Sequence, residues 1–284
     1  MASPIPGASF QSLGGPVAGP VVISVPHGGR DYPHALIEAL RVPLSAVMGL
    51  EDRLIDLVAQ GARSDETMLV QTLPRAWIDL NRDEGERDPV IDLGARPQGR
   101  ASAKLRSGLG LVPRRVAGHG DIWSRRFSDA EMTERIATDH RPYHDALEQA
   151  LAEARARFGV AVLLDLHSMP PLGAAGLVPR IVIGDRHGLT ADTRFVRRIE
   201  AEARACGIAV TRNAPYAGGH IVQRHGAPRR GIHAIQLELD RSLYLDSALE
   251  APGAGFDATV TLVRTMLATL AAEALGQPVS LAAE

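Results

Sequence analysis

Cysteine is almost missing from this chain: Cys206 is the single cysteine in 284 residues. No internal disulfide can form, so nothing in the sequence speaks for an oxidising compartment. No CxxC or CxxxC pair is present to hold a metal through thiolates. The lone thiol falls near the predicted end of a surface helix, far in sequence from a histidine, which argues against a cysteine nucleophile. An excess of one charge is missing too. Lys and Arg number 31 against 33 Asp and Glu, a net charge of −2, and such a balance gives no support to binding nucleic acid or a membrane surface. No stretch approaches the ~20 apolar residues of a membrane-spanning helix. Residues 1–20 are rich in Pro, Gly, Ser and Ala but lack the basic start and apolar centre of a signal peptide. There is no GxSxG elbow, no P-loop and no GxGxxG after a strand. The expectation is a cytoplasmic protein with a small-molecule partner; the oligomeric state stays open.

What the chain does have is an ordinary globular composition, 45% hydrophobic and 23% charged, and length enough for one large α/β domain. Two apolar runs stand out. One, VVISV at 21–25, leads into Pro26, His27, Gly28 and Gly29. The other, VAVLLDL at 160–166, leads into His167 and Ser168. Neither alternates, so both read as strands covered on two faces, as in a parallel sheet. Further strands are predicted at 67–72, 77–81, 180–184, 208–212 and 231–239. Helices are predicted at 43–62, 190–206 and 256–275. Another covers 128–157, with Ser128 as N-cap, Glu131 three residues on, and Pro142 expected to break or kink it. Residues 216–228 read as a loop. Strands alternating with helices imply an α/β fold with a mixed, mostly parallel sheet. The domain expectation is an irregular lead over 1–20 and a single domain over 21–284, with a loop-rich insert at about 88–120.

Ligands of open α/β sheets gather outside the carboxyl ends of the strands. His27 and His167 are both delivered there, and hydrolytic zinc takes three ligands from His, Asp and Glu. Each histidine alone reads more readily as a hydrogen-bonded loop residue; it is the pair that points to a metal. The carboxylate comes from Glu51 or Asp52. On the predicted helix Asp52 shares a face with Ile55 and Asp56 while Glu51 points about 100° away, which favours Asp52 without separating the pair firmly. Asp165 shares a strand face with His167 and is a candidate to orient an imidazole, or a buried carboxylate with another partner. Glu238 interrupts an apolar strand, and burial would raise its pKa toward the range of a general base; the alternative is an ion pair with Arg241 or another Arg. Asn81 and Arg82 end a predicted strand. There Arg82 either clamps a substrate carboxylate or pairs with Asp83 or Glu84. His220, after Gly218 and Gly219, is a loop candidate for touching substrate. His140 and His144 have the i, i+4 spacing of a metal pair, but no Glu adjoins His140 and Pro142 lies between them. The basic stretch 104–115 is either a mobile flap supplying another Arg or a solvated loop.

With these residues assembled, the chain resembles the N-formylglutamate amidohydrolase family. The resemblance rests on SVPHGG at 24–29, EDRL at 51–54, IDLNRDE at 78–84, DLHS at 165–168, GGHI at 218–221 and QLELDRSLY at 236–244. It implies a fold related to the zinc carboxypeptidases and one Zn²⁺ per chain bound by His27, Asp52 and His167. It implies Glu238 as general base and Arg82 as ligand of a substrate carboxylate. The implied reaction turns N-formyl-L-glutamate and water into formate and L-glutamate, in histidine breakdown. The chain departs from the His-x-x-Glu pattern of the carboxypeptidases, because Arg30 stands in the fourth position; the acidic ligand must come from elsewhere. Two other functions remain in view: a carboxypeptidase or deacylase of another N-acyl amino acid, and a non-catalytic binder of a small acid. A His/Asp site also accepts divalent ions other than zinc.

Overall fold

The apolar runs that do not alternate form the middle of one sheet. A computed structural model describes residues 3–4, 9–15, 17–96, 101–173 and 178–276. Its strands are β1 (Ser3–Pro4), β2 (Phe10–Leu13), β3 (Val21–Val25), β4 (Thr67–Gln71), β5 (Arg115–Val116), β6 (Gly120–Asp121), β7 (Ala161–Met169), β8 (Ile181–Gly184), β9 (Val210–Arg212) and β10 (Ile232–Asp240). Its α-helices are α1 (His34–Glu38), α2 (Leu44–Met48), α3 (Ile55–Ala62), α4 (Ala103–Arg106), α5 (Asp129–Arg135), α6 (Arg141–Phe158), α7 (Thr193–Ala205), α8 (His220–His225) and α9 (Phe256–Ala274). Eight strands make one sheet in the order β1-β2-β4-β3-β7-β10-β8-β9, and β5 with β6 makes a separate hairpin. The central run β4-β3-β7-β10 is parallel throughout, as is β8 with β9. The antiparallel pairings are β1 with β2, β2 with β4, and β10 with β8. This is the expected mixed, mostly parallel α/β sheet. Among the described residues no helix is long and apolar enough to cross a membrane.

Helices cover both faces, so each central strand is buried on both sides. On one face Ile23, Leu164, Leu166, Ile235 and Leu237 pack with side chains of α3, α7 and α9, among them Val58, Phe195 and Met266. On the other, Val22, Leu163 and Ala234 pack with Tyr143 and Leu147 of α6 and Val222 of α8. Strand alternation then decides where the polar residues go. Ser24 continues the face of Val22, Asp165 and His167 that of Leu163, and Gln236 and Glu238 that of Ala234. The second apolar face therefore turns polar toward the carboxyl ends of three adjacent strands.

Several predicted elements differ. The helix expected over 43–62 is two helices, with Leu54 in the left-handed region at φ 57° between them. Residues 77–81 form turns rather than a strand, tied down where the Asp79 N–H donates to the Leu111 carbonyl at 2.7 Å. The expected irregular lead contains β1 and β2, which extend the sheet, and Phe10 is buried in the core. The loop expected at 216–228 contains α8. Pro142 does not break the helix in which it lies. A π-helical turn, Ile136–His140, joins α5 to α6 and leaves Pro142 in the first turn of α6, where no N–H is required of it. The predicted capping box is present: Ser128 N–H donates to Glu131 Oε2 at 2.7 Å and Glu131 N–H to Ser128 Oγ at 3.2 Å. Of the insert at about 88–120, residues 97–100 lie outside the described residues; the rest holds α4 and the β5–β6 hairpin.

Candidate metal centre and active site

His27 follows the end of β3, and His167 lies near the carboxyl end of β7. Asp52 sits in the break between α2 and α3, not on a helix face, so the helical argument for it fails although the residue arrives. Its N–H donates to the His27 carbonyl at 3.0 Å, which draws the break against the strand end. Glu51 turns away. It accepts from Tyr32 Oη at 2.5 Å and from Arg53 at 2.9 Å. Asp52 Oδ2 instead lies 2.9 Å from His167 Nδ1 and 3.5 Å from His27 Nδ1. Arg30, in the place of the carboxypeptidase glutamate, forms a two-pronged pair with Asp56 at 2.7 and 2.8 Å.

The far nitrogen of each ring explains what the near one needs. Asp79 Oδ1 lies 2.7 Å from His27 Nε2, so that nitrogen carries the proton and donates. Asp165 Oδ2 lies 3.0 Å from His167 Nε2, which likewise donates. Both Nδ1 atoms are then bare lone pairs in the neutral rings, and both face Asp52 Oδ2. His27 Nδ1 is buried with no hydrogen-bond partner among the described residues. Three acceptors thus converge, each within 4.8 Å of the others. Only protonation or a cation relieves such an arrangement. Carboxylates that hold the outer ring nitrogens are the usual support of histidine ligands, and the donor set, two imidazoles and one carboxylate with a position to spare, suits zinc. The residues fit a metal ion.

The supporting carboxylates are themselves held. Asp165 accepts from Ser24 Oγ at 2.8 Å. Asp79 accepts from Arg75 Nε at 2.8 Å and from the Asn81 N–H at 2.9 Å. Burial alone would raise Asp79, but the Arg75 and Arg82 guanidiniums and His27 hold it well below the usual carboxylate range. Burial likewise works against ionised Asp52; with the rings protonated, hydrogen bonds from His167 and His27 outweigh it and bring that carboxyl down. Sequence reasoning missed Asp79 as the partner of His27, because its segment reads as a strand rather than a turn folding back on the site.

Glu238 stands beside His167 in the parallel register of β10 and β7. Burial pushes its carboxyl above the ordinary range, against the pull of His167. It does not pair with Arg241, the alternative expected from sequence. Its Oε1 accepts from Gln236 Nε2 at 2.7 Å. Gln236 is oriented in turn by the Gly219 N–H, 2.7 Å from Oε1, and by Asn81 Nδ2 at 3.2 Å. Asn81 Oδ1 accepts from the Ile221 N–H at 2.9 Å. Gly219 makes this possible: a Cβ there would lie 2.3 Å from Asn81 Oδ1. Asn81 is therefore a junction that ties β10 to α8.

These groups line one cavity of about 320 Å³. Its wall also carries four cations, Arg75, Arg82, Lys104 and Arg241. Arg82 does not pair with Asp83 or Glu84. Its Nε and Nη1 donate to the carbonyls of Leu109 and Asn81 at 2.8 and 2.6 Å, and its Nη2 lies 3.7 Å from Asp79. Arg241 donates to Ser168 Oγ at 3.2 Å and lies 3.5 Å from Asp52 Oδ1. Lys104, in the basic insert, has no carboxylate partner among the described residues; its amine lies 5.9 Å from the Tyr216 ring centre. Partial burial and the neighbouring Arg82 and Arg75 lower its pKa. His220 does not reach this wall. It lines an adjoining cavity with Asp83, Glu86 and Lys104.

Residues 19–245 match the family model described as N-formylglutamate amidohydrolase. An N-formylglutamate deformylase of Pseudomonas putida is 29% identical over 231 residues, 80% of this chain and 82% of the relative. The enzyme of that name in Pseudomonas aeruginosa is 27% identical over 263 residues, 89% and 93%. The crystal structure of N-formylglutamate amidohydrolase from Ralstonia eutropha JMP134 superposes with a TM-score of 0.82 at 32% identity, covering 94% of this chain and 97% of that one. The matched span takes in β3, β7 and β10 and every residue of the cluster described above. On sequence and fold together, the chain belongs to the N-formylglutamate amidohydrolase family.

Proposed function

We propose that the chain is a zinc-dependent amidohydrolase that cleaves N-formyl-L-glutamate to formate and L-glutamate, with one Zn²⁺ held by His27, Asp52 and His167. The observation that carries the reading is the convergence of three bare acceptor atoms beside a buried glutamate, in a cavity walled by cations. Zinc at such a site supplies a Lewis acid for the acyl carbonyl and brings the pKa of water toward about 7. Glu238 takes a proton from the attacking water as its oxygen bonds to the formyl carbon. It returns that proton to the leaving nitrogen as the C–N bond breaks, so the amine departs neutral. Gln236 holds the Glu238 carboxylate in place through Oε1. Asn81 fixes Gln236, and with it the distance between base and metal ligands. Arg82 receives a substrate carboxylate, and the wall's further cations suit an acid with two carboxylates. The names of the relatives support N-formylglutamate as that acid; the setting we propose with it is histidine breakdown in the cytoplasm.

The test is formate release from N-formyl-L-glutamate by metal-quantified protein, before and after chelation and zinc restoration. Turnover that chelation abolishes and zinc restores is the expected result. Bound metal with no formate release rejects the substrate and turns attention to other N-acyl amino acids. Glu238→Gln is expected to keep its metal and lose about 10²–10⁴-fold in kcat; loss of metal in this variant would make Glu238 a ligand.

A further inference from the structure

A second group of histidines lies behind the Leu80–Asn81–Arg82 turn, outside the catalytic cavity. His140 ends the π-helical turn and His144 lies one turn into α6, so their rings share a face, with centres 4.5 Å apart. His220 begins α8 and brings its ring to 5.3 Å from His144 and 6.0 Å from His140. His140 and His144 are fully buried, and the His220 side chain is 14% exposed.

Their hydrogen bonds fix the tautomers. His140 Nε2 donates to the Arg82 carbonyl at 2.9 Å, and His144 Nε2 donates to the Leu80 carbonyl at 3.0 Å. Both Nδ1 atoms are therefore acceptors. That of His140 is buried and meets no donor among the described residues. That of His144 accepts from His225 Nε2 at 2.9 Å. His220 Nε2 is also buried without a partner among the described residues, while its Nδ1 faces Asp83 Oδ2 at 3.8 Å. One nitrogen from each of the three rings lies within 4.8 Å of the other two. A ring held through one nitrogen by a carbonyl, with the other nitrogen bare, is how protein histidines are set for a metal; His140 meets this in full, His144 is held in the same way with His225 on its second nitrogen, and His220 brings a bare Nε2. A purely structural clamp would need the bonds to Leu80 and Arg82 but would not leave two buried ring nitrogens unsatisfied.

We propose that His140, His144 and His220 form a second site, for a divalent transition-metal ion, distinct from the centre at His27, Asp52 and His167. Three imidazoles suit zinc, cobalt, nickel or copper(II) and do not suit magnesium or calcium. The ion takes His144 Nδ1 in place of the His225 N–H. It enters from the adjoining cavity, which His220 lines together with the acidic Asp83 and Glu86. Its role is structural: it joins α6 to α8 and, through the two carbonyls, stiffens the turn that carries Asn81 and Arg82.

The experiment is zinc titration of the metal-free full-length protein, with the bound ratio read by atomic emission, and zinc-edge anomalous diffraction from crystals of the wild type. The expected result is two equivalents per chain, an anomalous peak among the three imidazoles, and loss of one equivalent in His220→Asn. His220 stands at the cavity edge, so this variant is the least disruptive of the fold, and the diffraction arm does not depend on it. A single equivalent with no peak at the cluster overturns the proposal and leaves a bound water as the partner of the orphan nitrogens. Two equivalents in both wild type and His220→Asn, without a peak there, overturn it as well.

Discussion

The chemistry proposed here rests on two carboxylates that stand behind the histidines. His27 and His167, the proposed metal ligands, turn one bare nitrogen each toward Asp52 only because Asp79 and Asp165 claim their outer nitrogens. Asp79→Asn removes the charge and keeps the shape. The variant is expected to bind zinc about 10–100-fold more weakly, read by competition with a chromophoric chelator; unchanged affinity would show that the tautomer of His27 is set by something else. The two histidines were legible in the sequence because an apolar run that does not alternate announces a strand buried on both faces, and its end is where ligands gather. Asp79 was not legible in that role. Trp77, Ile78 and Leu80 give its segment the look of a strand, and only the fold shows it turning back to His27. Gln236 was open to the same logic that found Asp165, since it lies two residues before Glu238 on one strand face.

At the level of elements, apolar spacing gives the extent of a helix but not its interruptions. Val47, Leu50, Leu54 and Val58 keep helical spacing straight through the break that carries Asp52, and a left-handed Leu54 leaves no mark in such a pattern. The short strands β1 and β2 were hidden for another reason: a Gly- and Pro-rich lead pairs through its backbone, which composition does not reveal. The cap of α5 was readable, because Ser and Glu three apart carry their own chemistry. There the Arg125 side chain, working against partial burial, and the Ser128 backbone N–H lower Glu131 to about 2 from an ordinary 4.5. A carboxyl depressed on folding adds stability that is complete above its unfolded value and is lost as the pH falls through the folded one. Glu131→Gln is therefore expected to cost about 0.5 kcal/mol at pH 7, a small figure because the pair is largely exposed. The gap to wild type should close between pH 4.5 and 2. Urea titrations across that range are the check, and a gap independent of pH would remove the charge from the explanation.

For the whole molecule, a net charge of −2 conceals a cavity with four cations on its wall. Arg75 and Arg241 are tied to carboxylates or hydroxyls, and Arg82 spends two of its donors on carbonyls. Lys104 has no such commitment among the described residues, so Lys104→Met is expected to raise KM for a dicarboxylic substrate by about tenfold while changing kcat little, and the difference should shrink as salt rises. Kinetics at two ionic strengths will show it; equal KM values would place the amine outside the recognition of substrate.

His167 and Glu238 lie on β7 and β10, and His27 follows the end of β3; these strands are three neighbours at the middle of an eight-stranded sheet. Such strands open last, with the protection of global unfolding, whereas loops and edges open alone. Most active sites lose function on heating before the protein melts, because they sit on the parts that loosen first. This one should not. Amides of the three central strands are expected to be among the slowest to exchange with deuterium, and thermal inactivation should coincide with the calorimetric melt instead of preceding it.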